Sequence, residues 1–101
     1  MSLFFVISTT KILDENRYNE YVKRARPILE SYGGEYLLQS DNIIAAKDWE
    51  AEKIVIIRFE SKEKLDECFQ SPEYQEARKF RLNGVGDNEL IIVEGGDATP
   101  R

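Results

Sequence analysis

Residues 54–61 read IVIIRFES, and Ile54 to Ile57 are apolar at four consecutive positions. A strand alternates its side chains between two faces, so Val55, Ile57 and Phe59 fall on one side and Ile54, Ile56 and Arg58 on the other. Both faces of this strand are oily. The chain's own helices can cover one of them. What covers the other decides whether so small a chain folds as a self-sufficient unit or needs a partner.

The sequence on either side supplies the rest of the sheet. LFFVISTT, residues 3–10, is aromatic and β-branched and reads as a strand that ends in a polar turn around Asp14. Tyr18, Tyr21, Val22, Ala25, Ile28, Leu29 and Tyr32 recur at three- and four-residue spacing, which predicts an amphipathic helix stopped by Gly33-Gly34. Pro27 predicts a kink in that helix or an early end to its first half. EYLLQ, residues 35–39, reads as a second strand, with Asp41-Asn42 as a turn and residues 43–46 as an extension beyond a bend. KDWEAEK, residues 47–53, is a charged loop holding the sole tryptophan, Trp49. After the strand quoted first, Ser61 caps a short helix carrying Leu65, Cys68 and Phe69. Ser71-Pro72 restarts it, with Ser as N-cap and Pro at the first helical position, and this piece runs to about Leu82. Residues 83–88 read as a Gly-rich turn and residues 90–93 as the last strand. One domain over residues 1–94 and a flexible tail over 95–101 complete the expected organisation.

Strand, helix, strand, strand, helix, strand is the α+β, ferredoxin-like βαββαβ order, with a four-stranded antiparallel sheet and its helices on one face. The other face then carries large aliphatic and aromatic side chains from three strands, each contributing about 1.5 to 3 kcal/mol when fully buried. A monomer does not leave such a patch in water. The expected cover is a second copy, sheet face against sheet face, in a homodimer.

Composition narrows the chemistry. The chain has 101 residues, 42% hydrophobic and 33% charged, which suits a single soluble globular domain. Its net charge is −5, and no group of Lys and Arg stands clear of neighbouring acids, which argues against a nucleic-acid partner. The longest unbroken apolar run, Leu3 to Ile7, is far short of the roughly 20 residues that span a bilayer. It also lacks a signal peptide's basic flank, so a cytoplasmic location without a membrane partner is expected. A single cysteine, Cys68, fits a reducing compartment. The absence of histidine removes His-based triads, the usual general base and most zinc or copper sites. The carboxylates show no metal-ligand spacing and the glycines no phosphate loop, so neither metal nor cofactor is expected.

Several features together resemble a known family. They are Trp49 in its charged loop, IVIIRF, Ser61, SPEYQ at 71–75, Arg81, VEG at 93–95, and SYGG at 31–34 preceded by Tyr21 and Pro27. These resemble the family called domain of unknown function 1330, over nearly the whole chain. That family is similar to the dimeric α+β barrel superfamily, in which two ferredoxin-like subunits enclose a small cavity. Relatives in the superfamily include monooxygenases and isomerases that use no cofactor. This chain has Ala45, Ala46 and Lys47 where the family tends to carry a Leu-Glu-Gly step, so a carboxylate of that pattern is missing.

Arg81 follows Tyr74 by seven residues and Ala77 by four, which places it on a helical stripe where apolar groups are expected. It needs a partner. A bound carboxylate or enolate would serve, and so would a structural ion pair, the commoner arrangement in proteins at large. Arg58 and Glu94 are polar intrusions on apolar strands. With one strand between them they would sit roughly 9 to 10 Å apart, too far to pair directly. Trp49 either lines a cavity mouth or packs against a partner. Tyr18, Tyr21, Tyr32 and Cys68 fall on core stripes. The resulting expectation is a homodimer that binds a small, largely apolar molecule between helices and sheet, with Arg81, Tyr74, Trp49 and Arg58 as candidate ligand-binding residues. A cofactor-independent monooxygenase or isomerase and a ligand-free dimeric interaction module are the alternatives.

Overall fold

The computed structural model describes residues 3–44 and 51–95, with the backbone alone described for 82–89. The elements run β1 (Leu3–Ile12), α1 (Glu15–Ser31), β2 (Glu35–Ser40), β3 (Lys53–Phe59), α2 (Lys62–Gln70), α3 (Pro72–Gly84) and β4 (Val85–Gly95). The strands form one antiparallel sheet in the order β2-β3-β1-β4. This is the expected ferredoxin-like arrangement, with the second helical stretch divided in two at Ser71. Trp49 and residues 96–101 lie outside the described residues.

Local chemistry sets the helix boundaries. Asp14 accepts a hydrogen bond from the Arg17 backbone N–H and opens α1, and Ser61 accepts one from Lys64 to open α2. At the α2–α3 junction the Ser71 hydroxyl donates to the Cys68 carbonyl at 2.7 Å and accepts from the Tyr74 N–H at 3.2 Å. One buried side chain thus ends one helix and starts the next. Ser71→Ala should cost about 1 to 2 kcal/mol, read as a lower urea midpoint with an unchanged slope. α1 runs through Pro27 to Ser31 as one helix, so it does not end at the proline. Proline forfeits one backbone hydrogen bond there, while Ala25 and Leu29 on either side keep the helix packed in the core.

Gly33 ends that helix at φ +90°, the left-handed conformation that favours glycine. Gly34 is required for a different reason. A Cβ on it would sit 2.8 Å from the Leu29 carbonyl oxygen and 3.0 Å from Phe59 Cζ. The chain therefore passes from α1 into β2 directly over the core.

The turn expected over residues 83–88 does not form. β4 begins at Val85, immediately after α3, and pairs with β1 as far back as Ile12. The pairing moves from Lys11↔Asp87 to Ile12↔Val85, so Gly86 is the extra residue of a bulge. β1 is longer than expected and offers its outer backbone groups along its whole length. Satisfying them outweighs the local turn preference of the glycines.

The sheet has two unlike faces. Val6, Ile57 and Phe59 face the helices and join Ala25, Leu29, Leu65, Cys68, Tyr74 and Ala77 in the core. The opposite face carries Phe5, Ile7, Ile54, Ile56, Leu38, Ile91 and Val93, by the strand register. Leu38, Ile91 and Val93 are exposed. The edge strand β4 is open on its helix side too, where Leu90 and Ile92 are 40% and 50% exposed.

Candidate functional site

Between the helix-facing side of the sheet and α1 lies a chamber of about 40 Å³. Val6, Val22, Leu29, Val55 and Ile57 make it largely apolar. Its polar groups are few: Arg81 from α3, Gln39 from β2, the phenols Tyr18, Tyr21 and Tyr36, and the hydroxyls Ser8 and Thr10. A wider, more polar hollow of about 300 Å³ shares Tyr18, Gln39 and Val55 with the chamber and adds Ser40, Asp41 and Lys53. It forms a vestibule at the Lys53 end of β3.

The helix stripes bring these groups together. Tyr18, Tyr21, Val22 and Leu29 recur with the α-helical period, so one face of α1 roofs the chamber. Tyr21 and Tyr74 meet there, their hydroxyls 3.0 Å apart in a hydrogen bond in which either can donate. Burial first, then the neighbouring Tyr74, holds the Tyr21 phenol well above its ordinary range. Burial also raises Tyr18, against the opposing effects of its hydrogen bond with Thr10 and of the Arg81 charge. Both phenols are therefore neutral at physiological pH.

Arg81 is the unusual member. Its Nε is buried and has no hydrogen-bond partner among the described residues. The Arg81 guanidinium carbon lies 5.8 Å from the Tyr21 ring centroid, near the outer limit of a cation–π contact. No Asp or Glu lines the chamber among the described residues.

The other candidates are placed elsewhere. Tyr74 is 3% exposed and stands behind Tyr21, one hydrogen bond removed from the chamber. Arg58 is on the opposite face of the sheet, ion-paired with Glu35 of β2. Glu94 pairs in register with Phe4 while Arg58 pairs with Phe5, so the two polar intrusions also lie on opposite faces. The structure thus joins Arg81 to Tyr74 through Tyr21 and leaves Arg58 apart. Sequence spacing alone does not single out Tyr18, Tyr21 and Gln39, because their helical or strand stripes are equally those of a core. Among the described residues no cluster of three metal-ligating side chains occurs.

Cys68 is fully buried against the core, and burial pushes its thiol from 9.0 up to about 11. Between those values the unfolded chain loses the proton first, so stability falls as pH rises through that window. The urea midpoint should decline above pH 9, and Cys68→Ala should flatten the first part of that decline, before the tyrosines contribute.

The sequence model for the family described as domain of unknown function (DUF1330) matches residues 4–96. The chain belongs to this family. No curated protein matches this DUF1330 chain in sequence. Among solved structures it is similar to RPA0582, a protein of unknown function from Rhodopseudomonas palustris, at 20% identity and a TM-score of 0.81. That match covers 95% of this chain and 84% of that one. It is also similar to a dimeric protein of unknown function and ferredoxin-like fold from Bacteroides fragilis, at 11% identity and a TM-score of 0.62, over 92% and 96% of the two chains. A third is SnoaB, a cofactor-independent oxygenase from Streptomyces nogalater, at 10% identity and a TM-score of 0.67, over 99% and 98%. At these identities the likeness establishes the DUF1330 chain's fold and leaves its chemistry to its own residues.

Proposed function

We propose that the protein is a homodimer that binds a small, largely apolar molecule in the chamber between helices and sheet, with Arg81 as the polar anchor. The observation that carries this reading is the buried, unpartnered Arg81 Nε on the wall of a largely apolar cavity that no carboxylate lines among the described residues. Ligand pockets share that composition, an apolar lining with few convergent polar groups. Tyr74 supports the site indirectly by fixing the Tyr21 hydroxyl. The dimer is supported by the apolar sheet face and by the dimeric neighbour of the same fold.

Native mass spectrometry tests both halves at once. A mass of twice the chain with a small adduct is the expected result, and a bare monomer at micromolar concentration counts against both. Arg81→Ala should remove the adduct while leaving the melting temperature within a few degrees of the parent. A large loss of stability with the adduct retained would instead make Arg81 a structural residue.

A second reading, a cofactor-independent oxygenase, is favoured by the fold shared with SnoaB. Its discriminator is turnover. Oxygen uptake above buffer with quinol substrates would support it.

A further inference from the structure

We propose that the chamber takes a short monocarboxylate as its ligand, bound as the anion against Arg81. This inference rests on the cavity reading above and adds the charge, the head group and the size of what fills it.

The charge follows from what surrounds Arg81. A guanidinium is always protonated, and Arg81 is partly buried with its Nε enclosed, where a charge without a counter-charge is unfavourable. Among the described residues no carboxylate lines the chamber. Its phenols cannot substitute, because burial keeps Tyr18 and Tyr21 in their neutral forms. The Tyr21 ring, at 5.8 Å, offers only a weak electrostatic contact. A neutral carbonyl ligand would accept a hydrogen bond from Nε–H but leave the charge uncompensated. An anionic ligand does both.

The head group follows from the geometry of the free donor. Nε–H and one terminal N–H of a guanidinium lie parallel in one plane and match the two oxygens of a carboxylate. The Arg81 Nε is the donor left open. A flat carboxylate engages it without a second cation, whereas a dianionic phosphate would be only half neutralised by the single Arg81 charge.

The size follows from the chamber. At about 40 Å³ it has room for about three water molecules, since one water needs roughly 10 to 15 Å³ on the same measure. In liquid terms that is about 90 Å³, enough for an acid of about two carbons, or three at most. A longer apolar body would have to enter the vestibule, which is lined by Ser40, Asp41 and Lys53 and offers it little. Polycyclic quinols do not fit these walls as they stand.

Isothermal titration of the intact protein near pH 7 tests the inference, with acetate, propionate and 1-naphthoate as acids and acetamide and propionamide as neutral isosteres. Acetate and propionate should bind at least tenfold more tightly than their amides, and 1-naphthoate should not bind. Arg81→Gln should erase the preference for acid over amide. Amides binding as well as acids would overturn the inference while leaving an apolar ligand cavity intact, and so would 1-naphthoate binding as tightly as acetate. Silence from every acid and amide, with the protein folded by circular dichroism, would overturn the inference and the cavity reading together. The acid-to-amide comparison in the parent protein decides the matter even if Arg81→Gln does not fold.

Discussion

Phe59→Ala is expected to lower the unfolding free energy by about 3 to 5 kcal/mol, and with it the melting temperature by on the order of 20 °C in a domain of this length. Phe59 is fully buried at the end of β3, opposite Phe4. Its ring lies where α1 turns into β2, so close that Gly34 has no room for a side chain. Removing the ring opens a cavity beneath a backbone crossing that Gly34 alone cannot collapse to fill. Domains are typically stable by only 5 to 15 kcal/mol, so one such loss is a large part of the total. Urea denaturation followed by circular dichroism measures it. A midpoint close to that of the parent would mean that the junction between α1 and β2 is not packed on this ring.

Ile56→Lys is expected to give a folded monomer. Ile56 lies on the face away from the helices, opposite Ile7 on one neighbouring strand and Leu38 on the other. It therefore stands in the middle of the surface that the proposed dimer buries. A lysine there would carry its charge into the apolar contact, and the Glu35 carboxylate on the same face is already taken by Arg58. Losing about 3 kcal/mol at such a position weakens association by more than a hundredfold, visible in sedimentation equilibrium at micromolar concentration. The helices pack on the other face, so far-UV circular dichroism should not change. A dimer that survives the substitution would place the contact elsewhere.

Much of this architecture was legible because alternation and helical spacing are local. IVIIRF divides into a helix-facing and an opposite face as its period of two requires, and Ser61 and Ser71 mark the starts of α2 and α3. The start of β4 was not legible, because the Gly84-Val85-Gly86 segment carries turn residues and only the outer backbone groups of β1 make it a strand. Arg81 could be singled out, since an arginine on an apolar helical stripe is visible in the chain itself. Its surroundings could not, because the Tyr21–Tyr74 hydrogen bond joins residues 53 positions apart. The Arg58–Glu35 pair was hidden for a similar reason. It depends on the register of β2 against β3, which shifts between Tyr36 and Leu38.

The edge strand β4 carries a consequence for the unassembled chain. Eleven residues long, with exposed apolar side chains on both faces, it presents one row of backbone donors and acceptors to solvent. Proteins commonly protect such edges with proline, lysine or a covering loop, and LIIV at 90–93 contains none of these protective residues. A newly made copy is thus a template for strand addition. Crowding many copies together before they fold favours fibre-like stacking. The net charge of −5 acts against that outcome by keeping copies apart.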